Sequence, residues 1–85
     1  LRTDPERLTA LVLLSVEDDR TFPLIFYREN CADMALSPDD VDPAFIASAK
    51  AVVVTGTHFS KANTDAAQRK AIRAARAAGR RVAFD

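Results

Sequence analysis

The sequence predicts an α/β fold in which a β-hairpin precedes a β-α-β unit, and three observations support this prediction. Two short apolar runs, residues 9–16 and 22–27, are separated by a polar turn, as in an antiparallel hairpin. The consecutive apolar residues 51–55 are typical of a strand within a parallel sheet. A long alanine-rich helical segment then leads to residues 81–85, which we expect to pair in parallel with residues 51–55 after a right-handed crossover.

The hairpin, residues 9–27, is the first element. Pro23 stands near the start of its second strand, where a residue that cannot donate to a strand ladder is tolerated. A two-stranded hairpin is marginally stable on its own, so we expect its apolar face to be covered. Residues 28–41, which follow, lack a hydrophobic period and are predicted to form a loop with a short turn.

A short helix follows the loop. Asp42 is its predicted N-cap and Pro43 occupies its first position, because proline lacks only an N–H that the first helical turn leaves unpaired anyway. Phe45 and Ile46 are available for burial in this helix. The strand of residues 51–55 comes next, and its unbroken apolar character predicts burial on both faces.

The long helix is predicted to begin at a cap formed by Asn63 or Thr64 and to reach Ala78, with Gly79 ending it. One face is rich in alanine and suits packing on a sheet. The opposite stripe is basic and is expected to face water; it consists of Arg69, Arg73, Arg76 and Arg80. We therefore assign residues 43–85 to an α-β-α-β part of the core, and residues 1–85 to a single partial domain.

The composition excludes several classes of protein. With 48% hydrophobic and 28% charged residues, the chain is typical of a soluble globular protein rather than a disordered one. No apolar stretch approaches the roughly 20 residues needed to cross a bilayer, so no membrane partner is expected. Cys31 is the only cysteine, which excludes an internal disulfide and favours a cytoplasmic location.

Charge is unevenly distributed along the chain. The formal net charge is zero, but residues 1–42 carry ten acidic and four basic residues, whereas residues 43–85 carry eight basic and two acidic residues. A basic half indicates either a nucleic-acid ligand or the solvated face of one helix. We expect no nucleic-acid partner, because neither stacking aromatic residues nor a groove-reading motif accompanies the basic stripe.

Candidate binding residues lie where strands end, because ligands of open parallel sheets bind beyond the carboxyl ends of the strands. Arg28 follows an apolar strand, where its guanidinium either clamps a carboxylate or forms a surface salt bridge with Glu29 or Asp33. A tyrosine or an asparagine at such a place either hydrogen-bonds a ligand or serves packing and turn formation. The candidate substrate-binding residues are Tyr27, Arg28, Asn30, Thr57 and Asp85.

Catalytic and metal-binding residues are not expected in this chain. His58 is the only histidine and lacks a recognisable partner for general-base or metal chemistry. Cys31 is interpreted as a small buried side chain. Asp39, Asp40 and Asp42 lie in helix-entry turns, where they are interpreted as capping residues rather than as paired catalytic carboxylates.

Four stretches together resemble the carbohydrate kinases of the ribokinase (PfkB) family. They are residues 2–9, residues 22–36 (FPLIFYRENCADMAL), residues 54–60 (VTGTHFS) and residues 82–85 (VAFD). The second stretch is long and idiosyncratic, so the resemblance is specific, and it extends over essentially the whole chain. It implies a ribokinase-like fold, in which a central, mostly parallel sheet has helices on both faces and a small β lid closes over the sugar.

The resemblance also implies an activity: ATP-dependent, Mg²⁺-assisted phosphorylation of the acidic sugar 5-dehydro-2-deoxy-D-gluconate in inositol catabolism. The hairpin of residues 9–27 would belong to the lid and could mediate a homodimer. Related kinases hold an acid sugar with an aromatic-x-Arg element, here Phe26-Tyr27-Arg28, with phenylalanine in place of the usual tyrosine. Thr57 and Asp85 would lie near the junction of sugar and phosphate.

The family's glycine-rich G-A-G-D segment with its catalytic aspartate is absent from this sequence, as are its nucleotide-binding loops and N-terminal sugar-binding glycines. We therefore expect an internal segment of a longer kinase, with ATP and Mg²⁺ bound by residues outside it and no activity of its own. Two alternatives stay open. One is a related kinase acting on 2-keto-3-deoxygluconate or another sugar, and the other is a non-catalytic binding or dimerisation module that uses the hairpin.

Overall fold

The computed structural model describes residues 2–85, which form two compact units. The first comprises the described residues up to Asp33, and the second runs from Met34 to Asp85. Each unit contains one two-stranded sheet, antiparallel in the first and parallel in the second. The α/β class predicted from the sequence is confirmed, whereas the grouping of the whole chain into one partial domain stays a prediction.

The first unit is built on the predicted hairpin. Strand β1 is Leu11–Leu14 and strand β2 is Leu24–Tyr27, and the two pair antiparallel with Leu11 opposite Tyr27. A hydrogen bond of 3.0 Å from Ser15 N to Pro23 O continues the pairing toward the turn. Pro23 thus contributes its carbonyl, the one backbone hydrogen-bonding group that a proline retains.

Asp18 shapes the turn of the hairpin. Its carboxylate accepts hydrogen bonds from the Arg20 N–H (2.8 Å) and from the Thr21 hydroxyl (3.0 Å). These bonds, the Arg20 amide first, hold the pKa of Asp18 below its ordinary value because they stabilise the charged carboxylate. The turn therefore gains stability above the ordinary aspartate pKa and loses it as the pH falls through the lowered pKa.

The hairpin presents apolar side chains on both of its faces, because opposite residues share a face and successive residues alternate. The first face, here called the tyrosine face, consists of Leu11, Leu13, Ile25 and Tyr27. The second, here called the phenylalanine face, consists of Val12, Leu14, Leu24 and Phe26. Each of these eight side chains is at least 44% exposed, so both faces are available for contact with a ligand or another chain.

The second unit contains the predicted β-α-β arrangement. Strand β3 (Ala51–Val54) and strand β4 (Arg81–Phe84) pair in parallel, and helix α2 (Ala62–Ala77) connects them. The ladder extends past both strands, since the Asp85 N–H donates to Val54 O (2.9 Å) and the Gly56 N–H donates to Asp85 O (2.7 Å). The carboxyl ends of the two strands are thereby joined.

The short helix α1 is Pro43–Ser48, and it begins as predicted. The Asp42 carboxylate caps it by accepting a hydrogen bond of 2.9 Å from the Ala44 N–H, with proline in the first position. Asp40 has a similar role in the preceding 3₁₀ turn, Pro38–Asp40, where its carboxylate accepts from the Ser37 N–H at 3.0 Å. The prediction that these carboxylates shape helix entries is confirmed for Asp40 and Asp42.

Helix α2 begins earlier than predicted, and the predicted cap is wrong. Its N-cap is Lys61, whose side chain makes no capping hydrogen bond. Asn63 lies inside the first turn and donates from Nδ2 to the carbonyls of Met34 and Leu36, both at 2.9 Å. Thr64 is fully buried and donates to Lys61 O at 3.1 Å. Both side chains serve tertiary contacts and packing, which override the local preference of these residue types for capping.

The end of α2 follows the prediction. Ala78 is the C-cap, and Gly79 takes a φ of +67°, the left-handed conformation that glycine adopts without the strain of a Cβ. The Gly79 N–H donates to Arg76 O and the Arg80 N–H to Ala75 O, which is the hydrogen-bond pair of a Schellman motif. None of the helices in residues 2–85 has the length and apolar character needed to span a membrane.

The alanine face of α2 is the core of the second unit. Val41 belongs to this core, and Ile46 of α1 packs against it. The buried residues of α2 are Thr64, Ala67, Ala71 and Ala75. The basic stripe lies on the exposed side of the helix, as predicted. Alanine suits this position because its small side chain lets the helix approach its neighbours closely.

Two burial predictions are wrong for the described residues. Phe45 is 69% exposed, because α1 directs Ile46 rather than Phe45 to the core. Strand β3 is buried on one face only: Val54 is buried, whereas Val53 on the opposite face is 67% exposed. Helix α2 packs against both strands of the β3–β4 pair, and it buries the face that carries Val54 rather than the face that carries Val53.

Candidate functional site

Three of the predicted binding residues, Tyr27, Arg28 and Asn30, lie at the hairpin exit. Arg28 is the charged residue among them. It directly follows Tyr27, the last residue of β2. Arg28 Nη2 lies 2.5 Å from Asp33 Oδ2, in an ion pair of two partly exposed side chains. The salt bridge that the sequence left as an alternative is therefore present, and it engages one of the five N–H donors of the guanidinium. Binding of a ligand carboxylate by Arg28 stays a prediction.

Asn30 turns the chain after the hairpin. Among the non-glycine residues in the described part of the chain, it alone has a positive φ, +50°. Asparagine tolerates this left-handed conformation because its short polar side chain can form local hydrogen bonds. The next residue, Cys31, is buried, with Sγ 3.5 Å from the carbonyl oxygens of Tyr27 and Glu29. The interpretation of Cys31 as a small buried side chain is confirmed.

A cleft of about 620 Å³ opens beside the hairpin exit within the first unit. Tyr27 and Asn30 line it, and Arg28 does not. The other lining residues are Glu6, Arg7, Leu8, Thr9, Leu11, Glu29 and Cys31. Apolar walls with a few polar groups are the usual lining of sites for small organic ligands. The cleft therefore brings two of the predicted residues, Tyr27 and Asn30, together in one concave surface.

Asp4 shapes the N-terminal wall of this cleft. Its Oδ1 accepts hydrogen bonds from the Glu6 N–H (2.9 Å) and the Arg7 N–H (3.0 Å), and Arg7 Nε lies 3.9 Å from Oδ2. These bonds, the Glu6 amide first, hold the pKa of Asp4 below its ordinary value. A further hydrogen bond, from Ala32 N to Leu8 O at 2.8 Å, ties the wall to the segment after the hairpin. The wall is therefore held by the Asp4 carboxylate when that carboxylate is ionised.

Thr57 and Asp85 lie together at the carboxyl edge of the parallel sheet, which we call the sheet edge. Thr57 is in the 3₁₀ helix Gly56–Ser60 beyond β3, and Asp85 follows β4. The bond between Gly56 N and Asp85 O holds the two segments side by side, and both side chains are exposed. A hydroxyl and a carboxylate at this edge can hydrogen-bond the hydroxyl groups of a polar ligand.

Thr55, the residue between β3 and the 3₁₀ helix, is held by two side chains. Its hydroxyl lies 2.8 Å from His58 Nδ1, so the histidine is engaged within the turn. Its N–H donates to Gln68 Oε1 and its carbonyl accepts from Gln68 Nε2, both at 3.0 Å. The role of Gln68 could not be predicted from the sequence, because no sequence pattern indicates a contact between a helix side chain and a strand end 13 residues away.

Aromatic rings also lie at the sheet edge. The ring centroids of Phe59 and Phe84 are 5.9 Å apart, and the Arg69 guanidinium carbon lies 5.6 Å from the Phe59 centroid. Arg69 Nε also lies 2.8 Å from Asp65 Oδ1. Arg69 therefore differs from the purely solvated arginine predicted for the basic stripe, because it stacks on a ring as well as facing water.

The described residues do not form a metal site. No group of three or more histidine, cysteine, aspartate and glutamate side chains within residues 2–85 is placed to hold a metal ion. Asp85 is the carboxylate of the sheet edge, and one carboxylate does not make a binding site for Mg²⁺. The described residues therefore do not fit a resident Mg²⁺ ion.

The chain is similar to known enzymes along most of its length. It is 37% identical over 78 residues to 5-dehydro-2-deoxygluconokinase from Shouchella clausii, and 34% identical over 77 residues to the protein of that name from Halalkalibacterium halodurans. The alignments cover 92% and 91% of this chain but 23% of each relative. The chain thus spans less than a quarter of the length of the curated relatives it matches. No family model matches it.

A solved structure shares the fold. The crystal structure of a PfkB protein from Polaromonas sp. JS666 matches with a TM-score of 0.79 and 33% sequence identity, covering 93% of this chain and 27% of that one. Because the match extends over nearly all of this chain, it includes the hairpin as well as the β-α-β unit. The ribokinase-like fold class predicted from the sequence is confirmed.

Proposed function

We propose that this chain, which is related in sequence and fold to one segment of the PfkB carbohydrate kinases, is part of an ATP-dependent sugar kinase. The observation that carries the proposal is the alignment of 92% of the chain, at 37% identity, with a 5-dehydro-2-deoxygluconokinase. The proposed substrate is 5-dehydro-2-deoxy-D-gluconate, the acidic sugar of inositol catabolism. The segment contributes a lid hairpin and part of the sugar pocket.

The carboxylate of this sugar suits Arg28. A guanidinium pairs with a carboxylate through two parallel N–H···O bonds, which fixes the orientation of the ligand as well as its charge. Asp33 accepts from Nη2 and orients the guanidinium, and the sugar carboxylate takes the donors that Asp33 leaves. Tyr27 and Asn30, which line the cleft, hydrogen-bond the sugar hydroxyls in this proposal.

The hairpin acts as the lid in this proposal. Its tyrosine face carries Tyr27 among apolar neighbours, so closing over the sugar places an apolar surface against it and excludes water. Excluding water matters because water competes with the sugar hydroxyl for the phosphoryl group. No residue of the described chain is assigned a catalytic role, and ATP and Mg²⁺ are proposed to bind other parts of the enzyme.

A cytoplasmic location is proposed for the enzyme. The Cys31 thiol is buried and forms no disulfide, as is usual for proteins of a reducing compartment. The proposed reaction also consumes ATP, which the cytoplasm supplies.

The polypeptide that carries this segment is expected to phosphorylate acid sugars in preference to neutral ones. In a panel of 5-dehydro-2-deoxy-D-gluconate, 2-keto-3-deoxygluconate, ribose and fructose, the first should have the highest kcat/KM. We expect an advantage over neutral sugars of about 10- to 100-fold, because one hydrogen bond to a charged group is worth about 1.5–3 kcal/mol. A coupled assay of ADP release measures these rates.

The outcomes of the panel distinguish the proposed function from its alternatives. Highest kcat/KM with 2-keto-3-deoxygluconate would favour the related kinase over the proposed one. Highest kcat/KM with a neutral sugar would contradict the role given to Arg28. Failure to phosphorylate any of the four sugars would contradict the assignment to a sugar kinase of this kind.

The hairpin also supports a second candidate role, as a contact between two copies of the chain. Its phenylalanine face is apolar and exposed, and it lies opposite the face that carries Tyr27. Because the tyrosine face is assigned to the sugar, the phenylalanine face is the one available for a homodimer. An exposed apolar patch of this kind is typical of a protein–protein contact.

Replacing Val12 by glutamate is expected to convert the homodimer to a monomer, because it places a charge in the middle of the proposed interface. Sedimentation velocity at micromolar concentration measures the change. Leu13→Glu is the matched control, since it places the same charge on the tyrosine face and should leave the dimer intact. A monomeric wild-type protein, or equal effects of the two variants, would contradict the assignment of the phenylalanine face.

A further inference from the structure

The Gln68 side chain makes the pair of hydrogen bonds that a neighbouring strand would make. The Thr55 N–H donates to Oε1, and Nε2 donates to Thr55 O, both at 3.0 Å. A primary amide carries a donor and an acceptor side by side, as a peptide group does, so one side chain satisfies both backbone groups. The contact joins the middle of α2 to the first residue beyond β3.

The backbone groups of Thr55 face away from β4. The ladder with β4 uses Val54 O and Gly56 N, which bond the N–H and the carbonyl of Asp85. Because successive residues of a strand direct their backbone groups to opposite edges, the N–H and carbonyl of Thr55 lie on the other side of β3. At the residue where β3 ends, Gln68 therefore takes the place of a neighbouring strand on the edge away from β4.

The sheet edge begins immediately after this point. Thr55 is the N-cap of the 3₁₀ helix Gly56–Ser60 and lies two residues before Thr57. A 3₁₀ helix has poorer hydrogen-bond geometry than an α-helix, so its position depends on what holds its first residue. Thr55 is held through its backbone by Gln68 and through its hydroxyl by His58.

We infer that Gln68 is a positioning residue, which fixes the end of β3 so that Thr57 and Asp85 present their hydroxyl and carboxylate to the sugar in one geometry. The inference rests on the proposed kinase function and adds a residue to the same site. Gln68 acts through Thr55 and does not itself contact the sugar. Reaction rates are sensitive to such positioning, since a displacement of about 1 Å can lower a rate by about a hundredfold.

Replacing Gln68 by methionine removes both hydrogen bonds while keeping the length of the side chain. In the full polypeptide we expect kcat/KM for the sugar to fall by about 10- to 100-fold. The KM for ATP should stay within about twofold, because the sheet edge is assigned to the sugar. Arg73→Met is the matched control, as it lies on the exposed side of the same helix and should leave both values unchanged.

Gln68→Glu adds a readout that a merely structural role would not change. An ionised glutamate accepts from the Thr55 N–H but cannot donate to Thr55 O, whereas a protonated glutamate can do both. We therefore expect the kcat/KM of this variant, relative to wild type, to rise as the pH falls and the glutamate takes up a proton. The ratio for Gln68→Met should stay flat over the same range of pH.

The outcomes distinguish this inference from the proposed function. If the wild-type polypeptide phosphorylates the acid sugar and both Gln68 variants match its kcat/KM and pH profile, the inference is overturned and the kinase assignment stands. If the wild type phosphorylates no sugar, the proposed function fails and the inference fails with it. Circular dichroism tests whether each variant is folded. If Gln68→Met is unfolded, the pH profile of Gln68→Glu decides whether the inference stands.

Discussion

Replacing Arg28 by alanine is expected to raise the KM for the acid sugar by about 10- to 100-fold and to leave the KM for ATP little changed. A hydrogen bond to a charged group contributes about 1.5–3 kcal/mol, and each 1.4 kcal/mol corresponds to a tenfold change in binding. The carboxylate does not react, so its contact with Arg28 is the same in the substrate complex and the transition state. The loss should therefore appear in KM more than in kcat, which steady-state kinetics with each substrate varied in turn will measure.

Two companion variants make this experiment specific. Arg28→Lys keeps the charge but loses the bidentate geometry, so an intermediate KM is expected. Arg20→Ala removes an arginine from the hairpin turn, at the opposite end of the strand pair from Arg28, and should leave the KM for the sugar unchanged. An unchanged KM in Arg28→Ala would show that the ion pair with Asp33 is the whole role of this residue.

Replacing Ala67 by aspartate is expected to lower the free energy of unfolding by about 3–5 kcal/mol, because it buries a charge without a partner. Ala67 is fully buried in the cluster that contains Val41 and Ala71, with Ile46 packed against it. Small proteins are stable by only about 5–15 kcal/mol in total, so the loss is a large share of the stability. Urea unfolding followed by circular dichroism measures it.

The same substitution at an exposed position of α2 is the control. Ala77→Asp introduces the same charge near the end of the helix, where the residue is exposed. We expect a loss below about 1 kcal/mol there, from helix propensity and the unfavourable position of an acid near a helix C-terminus. Equal losses at the two positions would contradict the assignment of the alanine face as the core.

The elements that could be predicted from the sequence are those with a local cause. The hairpin follows from two short apolar runs around a polar turn, and the start of α1 follows from Asp42 and Pro43. The end of α2 follows from Gly79, because few other residues tolerate its positive φ. Pairing of β3 with β4 could be predicted from the crossover rule, which needs only the order of the elements.

What could not be predicted depends on contacts between residues far apart in the chain. Asn63 has the residue type of a helix cap, yet its amide binds carbonyls 29 and 27 residues earlier. Exposure of Val53 could not be read from its apolar neighbours, since it depends on which side of the strand pair α2 packs against.

The candidate site likewise contains some features that could be predicted from the sequence and others that could not. Because ligands of parallel sheets bind beyond the carboxyl ends of the strands, Thr57 and Asp85 were predicted at one edge of the sheet. The structure places both residues at that edge. The partner of Arg28 was left open, because Glu29 and Asp33 are both near it in the sequence and only the course of the chain selects Asp33.

The two-faced hairpin has a consequence for biosynthesis. When the hairpin leaves the ribosome, the residues that follow it in this chain are not yet made, and both of its apolar faces are exposed. Unsatisfied strand edges and apolar surface are the features that chaperones bind and that drive aggregation. We therefore expect the 85-residue chain produced by itself to require a chaperone or a solubility tag.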